Sequence, residues 1–205
     1  MELPRFAVID VETSGLNQQR HRILQVGIVH VDASGAVLDE WATHVRLDWP
    51  LGRVGPTEVH GITRGTLRGA PRLRNVIGEV CERLDNSLMV AHNAQFDGEF
   101  LLRAAQRNRV DPDVAARLQR RLCTLRMSRR LDPERVRSHR LGDLCDHYGI
   151  ALDRPHDALA DALATAAILP HLLQAHDITD ESQLEPFLDR PRPASPTRPR
   201  PGRQS

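Results

Sequence analysis

Residues 5–45 carry three β-branched apolar runs in immediate succession, and this constrains the fold more than any other stretch of the chain. Arg5 to Glu12 is a short apolar run ending in acids, which fits a buried strand whose polar end lies at a site. Ile23 to Val31 reads as a second strand. Asp32-Ala33-Ser34-Gly35 supplies turn chemistry, and Ala36 to Val45 returns as a third. Such a succession predicts an antiparallel three-strand meander. Beyond it the pattern changes. Residues 46–57 hold the breakers Pro50, Gly52, Gly55 and Pro56 and read as loop. Leu73, Val76, Ile77, Val80 and Leu84 fall at helical spacing behind Pro71, and Ser87 to Ala91 is a short apolar strand. Asn93 is placed to cap a helix running to about Asn108. Shorter helices are expected near 113–130 and 139–148. A long helix starts near Asp157, and Pro170 should end or kink it. Strands, then alternating helix and strand, then helices make an α/β domain around one mixed central sheet flanked by helices.

Aromatic residues are only 3% of the 205, so the core must be aliphatic, and a single-strand binder working through rows of stacked rings is excluded. Lysine is absent and all 28 basic residues are arginine. Composition bias and phosphate gripping both account for that. The net charge of +1 hides an asymmetry. Residues 189–205 hold five Arg and one Asp, a net of +4, while residues 1–188 hold 23 Arg against 26 acids, a net of −3. A mildly acidic body argues against a protein that coats duplex by charge alone. The last 17 residues also contain five Pro and almost no apolar content, so a disordered or polyproline-like tail is expected. The chain thus divides into a domain over 1–178 and a C-terminal segment over 179–205 ending in that tail. Cys81, Cys123 and Cys145 form an odd set without C-x-x-C spacing, as in a reduced cytoplasmic protein. The N-terminus lacks a signal pattern, and Ala162 to Ala175 is too short to span a bilayer, so no membrane is expected among its partners.

Three segments carry chemistry. Asp10 and Glu12 are one residue apart on a strand, so both side chains point to the same face. Two close carboxylates stay ionised cheaply only with a cation between them, and Mg²⁺ or Mn²⁺ prefers such an oxygen environment. Alone the pair is equally a polar strand end. His92-Asn93-Ala94-Gln95-Phe96-Asp97 lies where a strand hands over to a helix. Asp97 by itself is equally an acid placed for the helix dipole. In Pro155-His156-Asp157-Ala158-Leu159-Ala160-Asp161, Asp157 serves as N-cap, with Asp161 one turn into the helix and His156 just before it. An acid on an otherwise apolar helix is costly unless paired or ligating. His156 alone is equally a surface histidine beside a cap.

These segments occur in order with Asp10-Val11-Glu12-Thr13-Ser14-Gly15-Leu16 and Val59-His60-Gly61-Ile62-Thr63, over roughly residues 4–175. Together they resemble the DnaQ-like DEDDh family of 3′–5′ exonucleases, to which the proofreading epsilon subunit of bacterial DNA polymerase III belongs. The resemblance implies a ribonuclease H-like fold. It implies Asp10, Glu12, Asp97 and Asp161 as ligands of two divalent ions, Mg²⁺ or Mn²⁺, and His156 as general base. It implies Thr13, Leu16, Asn93 and Phe96, with His60, as substrate contacts. Leu16 and Phe96 are also readable as core residues, and His60 as a structural hydrogen-bonding histidine. The implied activity is hydrolysis from 3′ ends of single-stranded or frayed DNA in proofreading or repair. The alternatives are an exoribonuclease of the same superfamily and an inactive polymerase-docking module. Arg117 to Arg140 holds nine Arg against Asp132 and Glu134, either a backbone-gripping patch or a solvated face. Gln183-Leu184-Glu185-Pro186-Phe187 loosely resembles the peptide that replication proteins insert into a sliding clamp, with Pro186 where an apolar Leu is common, and reads either as a docking segment for a polymerase or clamp or as a last helical turn.

Overall fold

The computed structural model describes residues 2–47 and 53–189. Strands β1 (Arg5–Thr13), β2 (Ile23–Val31) and β3 (Val37–His44) form the expected antiparallel meander. On the other side of β1, β4 (Ser87–Ala91) runs parallel to it, and β5 (Arg121–Cys123) runs parallel to β4. The short β6 (Leu188–Asp189) closes that edge antiparallel to β5, giving the order β3-β2-β1-β4-β5-β6. The helices are α1 (Thr57–His60), α2 (Leu73–Arg83), α3 (Ala94–Arg107), α4 (Pro112–Ala115), α5 (Thr124–Arg130), α6 (Leu141–Tyr148) and α7 (Ala158–Ala175). Short 3-10 segments cover Ala116–Leu118 and Glu181–Phe187.

The period of two divides β1 between two cores. Phe6 and Val8 point to one face, where Ile168, Leu169 and Leu172 of α7 and Leu144 of α6 cover them. Ala7 and Ile9 point to the other, against Val76, Ile77 and Val80 of α2 and Leu101 of α3. Strands covered on both faces read as unbroken apolar runs, which is what β1 and β2 show. By length and composition α7 could cross a membrane, yet it carries Asp161 in its first turn and packs over β1 and β2.

Local expectations needed correction at several points. The helix expected over 113–130 is interrupted by β5, whose three residues are too few to print a period-two pattern and are strand only because β4 pairs with them. Pro170 does not end α7, which continues to Ala175. Ile168, Leu169, Leu172 and Leu173 are buried on both sides of it, and that burial outweighs one missing backbone bond. Asn93 occupies the N-cap position of α3 without making a capping hydrogen bond. The loop expected over 46–57 gives way to α1 at Thr57.

In the C-terminal segment, Leu184, Phe187 and Leu188 join the core beneath α7, so residues 179–189 are packed with the sheet. The clamp-like peptide lies in this packed stretch. Leu184 and Phe187 are inside, and the Gln183 side chain is held in a capping box with Asp180. The proline- and arginine-rich stretch 190–205 lies outside the described residues.

The start of α7 sits directly on β2 at Gly27, the residue opposite Asp10 in the strand register. A Cβ at position 27 would stand 2.3 Å from Ala158 O and 2.6 Å from Leu159 N, both backbone atoms. Gly27→Ala is therefore expected to push α7 off the sheet at a cost of about 1–3 kcal/mol. Chemical denaturation measures this, and an unchanged midpoint and slope would mean that the helix is not seated there.

Candidate active site

Asp10 and Glu12 lie near the carboxyl end of β1, on one face of the strand, and the register of β1 with β2 slips just past Glu12. Pairing of β1 with β4 covers only Arg5 to Val8, so the far half of β1 has a free edge on that side. Asp97, in the first turn of α3, occupies it. Its Oδ1 accepts a hydrogen bond from Val11 N at 3.2 Å, the amide between the two acids of β1. This is the carboxyl end of parallel strands, where sheet proteins commonly place their sites.

The third side of the cluster comes from α7. Asp157 is its N-cap as expected, accepting from Ala160 N at 3.1 Å. Its other oxygen accepts from Gln25 Nε2 at 3.1 Å, and Gln25 Oε1 accepts from Ala158 N at 3.4 Å. Gln25 stands opposite Glu12 in the register, so one amide side chain fastens the first turn of α7 to the strand pair that carries the acids. Asp161 then points into the cluster. Its Oδ2 accepts from His156 N at 3.2 Å, while its Oδ1 is buried without a hydrogen-bond partner. His156 is exposed, with a left-handed φ of +67°, and ligand-type atoms of Glu12, His156 and Asp161 lie within 4.8 Å of one another. Strained backbone of this kind concentrates at functional sites.

The acids raise one another's proton affinity. Burial, then the charges of Asp161, Asp97 and Asp157, push the Glu12 carboxyl from 4.5 up to about 8. Burial pushes Asp97 from 3.8 up to about 7 even though the Val11 amide and the Arg121 guanidinium pull the other way. Asp10 is raised well above the usual range by burial and by Asp97, Asp161 and Glu12. Asp161 is raised by burial, against the hydrogen bond from the His156 amide. Asp157 is also desolvated, but its bonds from Gln25 and Ala160 outweigh that and hold it below the usual range. A hard divalent cation fits this donor set. It would relieve the repulsion and give the orphaned Asp161 oxygen a partner.

The softer candidates separate. Leu16 is 81% exposed, an apolar side chain standing free three residues after Thr13. Thr13 is buried and its Oγ1 donates to Gly15 O at 3.0 Å. Asn93 is exposed, and Phe96 is half-buried with its ring 5.0 Å from that of Phe100. His60 is buried, its Nδ1 accepting from Ile62 N at 3.0 Å and its Nε2 donating to Val54 O at 3.2 Å, so both nitrogens serve its own loop. His92 also turns away, bonded to Thr124 and to His139 O, and burial pushes its imidazole down to about 4. Gln25 and Gly27 escaped the sequence reading. A glycine inside an apolar strand was the available signal, since it marks close backbone approach.

The mixed six-strand sheet with flanking helices is consistent with a ribonuclease H-like α/β fold, and acids from its first strand, the helix behind its fourth strand and its last long helix converge. Residues 7–169 match the RNase_T exonuclease model, and the chain belongs to that family, the DnaQ-like group anticipated above. The PolC-type DNA polymerase III of Oceanobacillus iheyensis is 34% identical over 169 residues, covering 82% of this chain and 11% of the relative. That of Bacillus subtilis is 33% identical over 174 residues, covering 85% and 12%. The chain therefore spans only about a tenth of the length of these relatives. Exonuclease I of E. coli bound to a dT13 oligonucleotide superposes with a TM-score of 0.73 at 22% identity, over 85% of this chain and 42% of that one. A 3′-exonuclease that recognises a histone mRNA stem-loop superposes with a TM-score of 0.70 at 16% identity, over 85% and 84%.

The crowding has a measurable sign. In the folded, metal-free chain Glu12 and Asp97 keep protons up to about 8 and about 7, whereas unfolding returns them to 4.5 and 3.8. Between these values the folded state binds more protons, so stability falls as pH rises. The melting temperature in EDTA is expected to decline from pH 5 to pH 8. A flat or rising profile would mean that the acids do not converge.

Proposed function

We propose that this chain is a metal-dependent 3′–5′ exonuclease that hydrolyses phosphodiester bonds from the 3′ ends of single-stranded or frayed DNA, in replication proofreading or repair. The observation that carries the reading is the convergence of Asp10, Glu12, Asp97 and Asp161 beside His156, with one buried carboxylate oxygen left unpartnered. Kinship with the exonuclease family and with PolC-type polymerases supports it.

In this reading the four carboxylates hold two Mg²⁺ or Mn²⁺ ions and balance their charge. Such ions, when bound, activate a water and stabilise charge on the attacking and leaving oxygens of a phosphodiester. Asp97 holds its place through the β1 backbone, and Asp161 through the His156 amide. His156 accepts the proton of the attacking water, since its ring stands beside Glu12 and Asp161 and is open to solvent. Leu16, exposed beyond the bulge of β1, offers an apolar surface to the terminal base, with Thr13, Phe96 and Asn93 around it. A duplex end must fray before its terminal phosphate reaches carboxylates this deep. The catalytic domain extends through Asp189, and the protein acts in the cytoplasm beside a DNA polymerase.

A product ladder on matched 3′- and 5′-labelled DNA and RNA oligonucleotides, with Mg²⁺, Mn²⁺ and EDTA lanes, tests the reading. Stepwise shortening from the 3′ end of DNA, lost in EDTA, is expected. Preference for RNA would move the substrate to the exoribonuclease alternative, and no shortening with either metal would sink the proposal. His156→Ala is expected to lower turnover by about 100-fold or more while keeping the rise in melting temperature that Mn²⁺ produces. Asp97→Asn is expected to lose both. Normal turnover in His156→Ala would remove that residue from the chemistry.

A further inference from the structure

A groove of about 620 Å³ opens between the start of α3 and the exposed side of α5. Asn93 and Gln95 line it together with Arg126, Arg129, Arg130 and Arg135. Gln95 is two residues before Asp97, so the groove begins in the same helical turn that supplies a site carboxylate. The amide of Leu125 donates to His92 O at 2.9 Å, which ties α5 to the junction of β4 and α3.

The arginines between 117 and 140 differ in their partners. Away from the groove three are matched by acids, while Arg137 and Arg140 are exposed without an acid partner among the described residues. Arg117 pairs with Asp85, Arg120 with Glu181, and Arg121, fully buried, with Glu99. At the groove Arg126 pairs with Asp189, whereas Arg129, Arg130 and Arg135 are exposed and have no ion-pair partner among the described residues. Arg135 is also held in place. Its φ is +58°, and the Asp132 carboxylate behind it accepts from Val136 N at 3.1 Å and Arg137 N at 3.0 Å.

We infer that this groove is a second binding site, which takes the backbone phosphates of a single-stranded nucleic acid upstream of the bond being cut. The inference rests on the exonuclease reading and adds the path of the strand. Guanidinium groups grip phosphate oxygens in pairs. Phe187 is the one aromatic residue on the lining and is buried, so the groove contacts backbone and is indifferent to base sequence.

The test compares wild type with the combined variant Arg129→Ala, Arg130→Ala, Arg135→Ala on two substrates in Mg²⁺. One is a 12-nucleotide oligodeoxynucleotide. The other is the p-nitrophenyl ester of thymidine 5′-monophosphate, which is too short to leave the carboxylate site. KM for the oligonucleotide is expected to rise about tenfold more than KM for the ester, and the slope of log KM against log salt to fall by about 2, the loss of three phosphate contacts on a single strand. The triple Arg→Lys variant, keeping charge, should restore most of the slope. Equal effects on the two substrates, or an unchanged slope, would overturn the inference. If wild type hydrolyses neither substrate, the exonuclease reading fails separately. Fluorescence anisotropy on the labelled oligonucleotide then still reads the groove: about tenfold weaker binding by the alanine variant supports it, and equal binding overturns it.

Discussion

The first turn of α7 lies against the backbone of β2, and the acidic cluster depends on that contact. Only glycine at position 27 leaves room for Ala158 and Leu159 to approach so closely. Gln25, two residues earlier on β2, bridges Asp157 and the Ala158 amide and so fixes the rotation of the helix about its axis. Rotation matters because Asp161 is one turn along. A different rotation would aim it into the apolar layer formed by Phe6, Val8 and Leu169. The helix is otherwise nearly all apolar and slides easily in packing terms, so these polar ties specify the one arrangement that delivers a carboxylate to β1.

The cluster is held together against its own electrostatics. Four acids with raised proton affinity destabilise a metal-free chain near neutral pH, and the aliphatic cores on both faces of the sheet must carry that cost. Perturbed carboxylates of this kind cluster at functional sites. The backbone contributes as well. The free edge of β1 beyond Val8 gives Asp97 an amide to bind, so the place where β4 stops pairing is part of the site's construction.

The surface beside the cluster continues the same logic with the opposite sign. Acids alone repel a phosphate backbone, and the inferred strand path would place the exposed arginines of α5 and its following loop along it. His92 links the two regions structurally. It is half-buried between Thr124 and His139, its imidazole pushed down to about 4 by burial, and His139 in turn bonds Ser128 and the Asp132 carboxylate that shapes the Arg135 loop. A polar residue directly after an apolar strand thus belongs to the scaffold that joins acidic and basic surfaces.

Much of this was legible in the chain itself. Unbroken β-branched apolar runs marked the meander, and helical spacing of apolar residues marked α2, because those signals need only local repetition. Asp10, Glu12, Asp97, His156 and Asp161 stood out as polar residues where apolar elements begin or end. Tertiary structure alone decided the rest. Three residues of β5 became strand by pairing with β4, α7 ran through Pro170 because buried neighbours sustained it, and a clamp-like peptide became a core turn. The same holds for Arg121, legible as part of a basic surface and found fully buried against Glu99 and Gly98, and for His60, whose nitrogens are taken up by its own loop. Sequence records which side chains an element carries, whereas partners distant in the chain determine which of their polar atoms are left free to act.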